Sequence, residues 1–348
     1  MTSEIYKRLT NKTKPFIIAE LGSNHMGSME TAKQLISAAA NAGCDAVKFQ
    51  SWAWDTMESR TALDMQSDYV RPGFSVVGLE AVKKQLALSP EKHQELKRHC
   101  DENGIIFSST PFSKEQVDML ISLGVPYIKI ASYDLVHHDL LRYAASKGVP
   151  IVMSTGMASM AEIAEAVDVI KSAGNEEIVL LHCVSVYPTP EANVNLRNIV
   201  TLQNAFHLPV GFSDHSISTA IPVSSVALGS CLIEKHFRLE GQECREKRVS
   251  IIPSQMKKIV EGSQKVGNSM GSFKRAIDSE AELASKTKMR RSLVVAKDLP
   301  AGHVLTREDI GFKRPGTGIP AKDWRYILGR KMKTAKNYDQ LFSLEDFE

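Results

Sequence analysis

From residue 16 onward, short apolar runs rich in β-branched residues alternate with longer stretches in which apolar residues recur at helical spacing. That alternation predicts parallel strands joined by crossover helices. The runs are Phe16 to Glu20, Ala46 to Gln50, Ile105 to Thr110, Tyr127 to Ser132, Pro150 to Thr155, Ile178 to Cys183, Val210 to Asp214 and Leu232 to Phe237. Eight of them, each led into by a helical stretch or by a glycine turn such as AGCD, ENGI, LGVP or KGVP, predict a (β/α)8 TIM barrel in preference to an open sheet. One interval is too long, because SWAWDTMESRTALDMQSDYVRPGFSVV precedes the helix that begins near Ser89. An insertion after a strand's C-terminal end falls on the catalytic face of such a barrel. It is therefore expected to be a partly mobile lid, with Trp52 and Trp54 either anchoring it or stacking on a sugar.

After the eighth run, PSQMKKIVEGSQKVGNSMG supplies a closing helix and AIDSEAELASKTKMRR turns polar. The remainder has short strands punctuated by AG and PGTG turns, with too few residues for another α/β unit. The expected organisation is a barrel over 1–275, a linker over 276–289 and a small β-rich module over 290–348.

Nearly every predicted strand ends in polar or ionisable residues, where barrel enzymes place their chemistry. These are Glu20, Lys48 and Gln50, Ser109 and Thr110, Lys129 and Ser132, Ser154 and Thr155, His182, Ser213 and His215, and Glu234 with His236. Strand side chains alternate faces, so Lys48 with Gln50, Ser213 with His215, and Glu234 with His236 project as same-side pairs. One lysine in a barrel mouth has an ordinary use, pairing with a carboxylate. Two entering the same mouth point to an anion, since buried ammonium groups are costly unless negative charge meets them. With neighbouring hydroxyls they form a cradle for phosphate or carboxylate. His215 and His236, on consecutive strands, can converge on one divalent ion such as Mn, Co, Fe or Zn, with Glu234 nearby; the residues do not choose the ion.

The 348 residues carry 43 Lys and Arg against 40 Asp and Glu, a net charge of +3. That balance does not generate the field of a general polyanion binder, so nucleic acid is not an expected partner. The opening MTSEIYKRLTNKTKP lacks an apolar secretory core, and no run of ~18 uncharged apolar residues follows, so a cytoplasmic chain without a membrane partner is expected. Five dispersed cysteines with no CxxC pair argue against a disulfide framework and a thiolate zinc site.

Taken in order, IAELGSNHMGSMETAKQLISAAANAGCDAVKFQ, SSTPFS, YIKIASYD, VMSTGMAS, LLHCVSVYPTP, GFSDHS and ALGSCLIEKHF resemble the sialic acid synthase family, including its spore-coat polysaccharide relatives. VVAKDLPAGHVLTREDIGFKRPGTGIP resembles that family's C-terminal antifreeze-like SAF domain, a β-clip. The resemblance implies a transferase that condenses phosphoenolpyruvate with the aldehyde of a hexosamine-type sugar. The products would be a nine-carbon 2-keto-3-deoxy acid, for surface polysaccharide, and phosphate. It implies a divalent metal, manganese first with magnesium or cobalt as alternatives, held by His215 and His236. Lys48, Thr110, Lys129, Ser132, Ser154 and Ser213 would cradle phosphoenolpyruvate. Gln50, Asp134, Tyr187 and Glu246 would face the sugar or reacting centre, and Glu20 and Glu234 would move protons. Arg314, in FKRPGTG, would reach the sugar's N-acyl group in the barrel of a partner subunit, which implies a domain-swapped homodimer.

The chain departs from the family pattern at three places. CREKRVSIIP puts Glu246 where an Asp is usual, beside Arg245, Lys247 and Arg248; Val184 and Ser185 replace a Thr followed by Asn or Ser; and Asp134 stands where a Glu is usual. The expectation is retained phosphoenolpyruvate binding with an acceptor other than plain N-acetylmannosamine, such as a phosphorylated or diacetamido sugar. Two other functions compete. One is a phosphoenolpyruvate aldol synthase making a seven- or eight-carbon 3-deoxy acid, a class that lacks the SAF tail. The other is a carbohydrate- or ice-binding protein with an inactive barrel, which the costly charges kept at the strand ends disfavour.

Overall fold

The computed structural model describes residues 2–53, 59, 61, 84–277 and 279–348. They divide into two compact units, Met1–Gly271 and Ser272–Glu348. In the first, the eight predicted runs form parallel strands: β1 (Phe16–Gly22), β2 (Ala46–Ser51), β3 (Ile106–Pro111), β4 (Ile128–Ile130), β5 (Ile151–Ser154), β6 (Ile178–Cys183), β7 (Val210–Asp214) and β8 (Leu232–His236). Their hydrogen-bonded order is β3-β2-β1-β8-β7-β6-β5-β4. The two end strands face each other, and the Tyr127 hydroxyl donates to Ser108 Oγ at 3.0 Å across the seam, so the sheet is a near-closed barrel. The fourth strand is shorter than its apolar run. Ala131 gives its carbonyl to Asp134 N, and the chain enters a 3₁₀ turn over Ser132–Asp134. The stretch expected to be a lid lies, Trp54 included, almost wholly outside the described residues; Trp52 is buried.

Alternation along the strands divides the side chains into two layers. Phe16, Ile18, Ala46, Tyr127, Val152, Val179, Leu181 and Leu232 fill the bore. Neighbours of opposite parity, among them Ile17, Val47, Phe107 and Ile128, pack against the surrounding helices. Helix Glu4–Leu9 contributes Leu9 to the bore cluster, with Ile5 and Tyr6 packed beside it. The polar reading of the opening residues gives no sign of that plug, whose apolar face is too short to stand out. The crossover helices begin where Ser28, Ser89, Ser113 and Ser159 accept a backbone N–H in their first turn. The turns AGCD, ENGI, LGVP and KGVP place Gly43, Gly104, Gly124 and Gly148 at positive φ, which a side chain would resist.

The second unit pairs β9 (Ser292–Val295) antiparallel to β10 (Ile310–Lys313) over a core that includes Leu293, Val295, Ile310, Ile327 and Phe342. Buried Asp309 ties its loops together, accepting from His303 Nε2 and Thr306 N at 2.8 Å and lying 2.9 Å from Lys297 Nζ. Within the stretch expected to be a linker, Glu280–Met289 forms a helix with no buried residue. Among the described residues no helix is long and apolar enough to cross a membrane.

Closure of the bore leaves no room for a side chain at Gly211 in β7. A Cβ on Gly211 would lie 2.7 Å from both Leu181 Cδ2 and the Leu232 carbonyl oxygen. Gly211→Ala is expected to destabilise the barrel by about 1–3 kcal/mol, the usual cost of overpacking a tight core. The urea unfolding midpoint would report it.

Candidate active site

Three bore-facing series run from apolar to polar or ionisable toward the strand's C-terminal end: Ile18 then Glu20, Ala46 then Lys48 and Gln50, Leu232 then Glu234 and His236. They open into a cavity of about 310 Å³. Its wall brings together Glu20, Lys48, Gln50, Thr110, Lys129, Ser132, Ser154, Tyr187, Ser213, His215, Glu234, His236 and Glu246. Asp134 is not in that wall. The 3₁₀ turn sets Tyr133 there instead, while Asp134 Oδ2 is buried with no hydrogen-bond partner among the described residues. Burial pushes the Asp134 carboxyl up to about 6. Arg314 belongs to the second unit, where it is exposed.

Three polar strand ends face away from the bore, as their parity requires. Ser109 Oγ lies 2.6 Å from Ser51 Oγ, Thr155 Oγ1 donates to Leu181 O, and His182 Nε2 donates to Val194 O. Conversely, the wall includes Phe112, Tyr133, Met157, Cys183 and Ser185, which strand-end chemistry does not pick out. Cys183 shares parity with Leu181, so alternation alone marks it. Phe112 and Tyr133 stack at 5.7 Å between centroids, a contact between separate loops that no local pattern signals.

The two lysines are met by two carboxylates. Lys48 Nζ lies 2.7 Å from Glu20 Oε2 and 3.8 Å from Glu234 Oε1, and donates to Thr110 Oγ1 at 3.1 Å. Lys129 Nζ lies 3.6 Å from Glu234 Oε1 and donates to Ser154 Oγ at 2.8 Å. All four charged side chains are buried, and their environments separate them. Burial pushes the Glu20 carboxyl up; Lys48 offsets this in part, while the charge of Glu234 adds to it. Burial acts on Glu234 in the same sense, but Lys129 and Lys48 outweigh it and hold Glu234 below the usual range. Lys48 stays above its ordinary value because the two glutamates overcome burial, whereas burial pulls Lys129 down. Glu20 is thus the more easily protonated carboxyl and Glu234 the ionised one. Gln50 Nε2 donates to Glu20 Oε1 at 3.0 Å, and Ser213 Oγ donates to Glu234 Oε1 at 3.2 Å. Glu234 Oε2 is buried without a hydrogen-bond partner among the described residues, so it has an acceptor to spare.

The same wall carries His215 and His236, with ring centroids 5.2 Å apart; Tyr187 packs on both, at 4.1 and 5.8 Å. His215 Nδ1 lies 2.8 Å from Val184 O and His236 Nδ1 lies 2.9 Å from Glu246 Oε2. Carbonyl and carboxylate oxygens accept, so each Nδ1 carries hydrogen and each neutral ring keeps its lone pair on Nε2. Burial, aided by His236, pushes His215 down to about 3. Burial works against the charged form of His236 too, but Glu246 prevails and holds it up. Two oriented imidazoles fit a divalent ion that keeps open positions. Among the described residues no group of three or more His, Cys, Asp or Glu is placed to hold a metal ion. A larger groove of about 690 Å³, lined by Tyr326, Arg330 and Leu344 among others, lies on the second unit and lacks such converging buried charges.

Residues 35–275 match the NeuB family model and residues 290–348 the SAF domain. The chain belongs to the NeuB family. It is 37% identical over 322 residues to the N,N'-diacetyllegionaminic acid synthase of Legionella pneumophila, covering 91% of this chain and 90% of that one. Among solved structures it is similar to the N-acetylneuraminic acid synthetase of Leptospira borgpetersenii in complex with citrate, with a TM-score of 0.69, 30% identity, and coverage of 80% of this chain and 93% of that one. It is also similar to the spore coat polysaccharide biosynthesis protein spsE of Bacillus subtilis, with a TM-score of 0.62, 30% identity, and coverage of 96% and 95%.

The mutual compensation inside this NeuB-family barrel has a measurable consequence. Lys48→Met strands Glu20 and leaves Glu234 with one cation, and is expected to cost about 3–5 kcal/mol of stability in chemical denaturation. Adding Glu20→Gln to Lys48→Met should return part of that loss. Simple additivity of the two substitutions would contradict the coupling.

Proposed function

We propose that this NeuB-family chain condenses phosphoenolpyruvate with the aldehyde of a hexosamine-type sugar. C3 of phosphoenolpyruvate bonds to the aldehyde carbon, whose oxygen takes a proton. Water adds at C2, and the C2–O bond to phosphate breaks to leave a 2-keto-3-deoxy acid of nine carbons and free phosphate. The observation that carries this reading is one cavity whose wall holds two buried ammonium groups with their hydroxyl partners and two oriented imidazoles.

Lys48 and Lys129, with Thr110, Ser132, Ser154 and Ser213, are proposed to hold the phosphate and carboxylate of phosphoenolpyruvate, charge-assisted contacts that shift the lysines away from the glutamates. Glu20, the more easily protonated carboxyl, is placed to give a proton to the forming hydroxyl. Glu234, kept ionised by the lysines, is placed to take one from the water. Nε2 of His215 and of His236 would hold a divalent ion, manganese first, which when bound supplies electrophilic activation of the aldehyde oxygen. Gln50, Tyr187 and Glu246 line the sugar's side. Arg314 would complete the sugar pocket of a second copy, giving a domain-swapped homodimer. In support, it is exposed, and no hydrogen bond or ion pair engages its guanidinium among the described residues. Similarity to a diacetyllegionaminic acid synthase favours a diacetamido acceptor.

Phosphate release from phosphoenolpyruvate with Mn²⁺, across a panel of N-acetylmannosamine, its phosphate and diacetamido hexoses, tests the proposal. Release is expected with a diacetamido acceptor, and His236→Ala should lower it at least about a hundredfold, a loss of about 3 kcal/mol or more of transition-state stabilisation. Turnover of unmodified N-acetylmannosamine alone would overturn the acceptor assignment. No release with any sugar would favour a carbohydrate-binding role.

A further inference from the structure

The loop after β8 folds back behind the second imidazole, and the contact it makes there is built in depth. Glu246 Oε2 sits 2.9 Å from His236 Nδ1. Fully buried Asn24 fixes the backbone beneath it, accepting from Glu246 N through Oδ1 at 3.1 Å and donating through Nδ2 to Phe237 O and Ser250 Oγ, both at 2.9 Å. Ser250 Oγ in turn donates to Glu246 O at 2.8 Å. Gly22 clears the path, since a Cβ there would lie 2.6 Å from Glu246 Oε2. His215 has no such carboxylate behind it among the described residues, its Nδ1 meeting the neutral Val184 carbonyl at 2.8 Å and Cys183 Sγ at 3.8 Å. An Asp at position 246 would draw the carboxylate back by one C–C bond, about 1.5 Å, out of hydrogen-bond range unless the clamped backbone followed.

We propose that Glu246 is a positioning residue for His236: it fixes the ring with its Nε2 lone pair toward the cavity and, by placing a full negative charge behind it, sets the site's affinity for a divalent cation. Oε2 is then committed to the imidazole, leaving Oε1 as the oxygen open to a sugar hydroxyl. The inference rests on the reading of His215 and His236 as metal ligands, and its test does not depend on turnover.

Mn²⁺ is titrated into metal-free wild type, Glu246→Gln and Glu246→Asp without substrates, with free Mn²⁺ followed by electron paramagnetic resonance. Thermal melting of the metal-free proteins reads folding separately. Wild type is expected to bind, Glu246→Gln about 10–100-fold more weakly, as when an outer partner of a metal-bound histidine is removed, and Glu246→Asp in between. Ring ¹⁵N spectra of metal-free protein should show His236 protonated at Nδ1 in wild type, with that preference lost in Glu246→Gln, whose amide can turn either group to the ring. Wild-type binding that Glu246→Gln leaves within about threefold would overturn this inference while sparing the metal reading. A wild type that binds no Mn²⁺ would overturn the metal reading and this inference with it.

Discussion

Four charges stand at the mouth of an otherwise apolar bore, and none is tolerable there alone. Burying an unpaired ion costs several kcal/mol even after relaxation, so Lys48 and Lys129 require Glu20 and Glu234, and the glutamates require the lysines. The barrel satisfies this by hanging each charge on a different strand, where parallel register brings Glu20 beside Lys48 and Ser213 beside Glu234. The resulting cluster is compensated but not equalised. Glu234 is shared by two ammonium groups whereas Glu20 is held closely by one, and this asymmetry separates the affinities of the two carboxyls for protons.

An anion entering such a cluster meets ammonium groups that already have partners. It gains by replacing one carboxylate contact with several charge-assisted bonds, and hydroxyls from Thr110 and Ser154 already aligned on the lysines lower the ordering cost. The imidazole side of the cavity is organised on the same principle at lower charge. His215 is oriented by a backbone dipole and His236 by an anion, so the two rings differ in electron-donating power although both are held through Nδ1.

The division into two compact units assigns these tasks unequally. The first unit holds the buried charges and both imidazoles. The second is a small β-rich body stabilised by its own core and by the Asp309 cluster, and it presents Arg314 in an exposed turn. The NeuB family and SAF domain matches cover both units, and Glu246, Tyr187 and Tyr133 line the cavity around the charge cluster without belonging to it.

The sequence alone carried the strands, the barrel and most of the wall. Eight β-branched runs, glycine turns after helices and ionisable strand ends are local signals, and alternation of faces is a property of the extended chain itself. For the same reason it marks Ser109 and His182 as outward despite their polarity, and Cys183 as inward. The tertiary structure decided what depends on contacts between distant segments. It curtailed β4 because Ala131 spends its carbonyl on a turn, which moved Asp134 out of the wall and Tyr133 into it. It paired the lysines with glutamates from other strands, seated the helix Glu4–Leu9 at the bore cluster, and carried Glu246 to the back of His236 through Asn24, 222 residues earlier in the chain. Side-chain type and spacing announce that a charge will be buried. Only the packed chain determines which opposite charge meets it, because Coulombic pairing acts through space and is indifferent to position along the sequence.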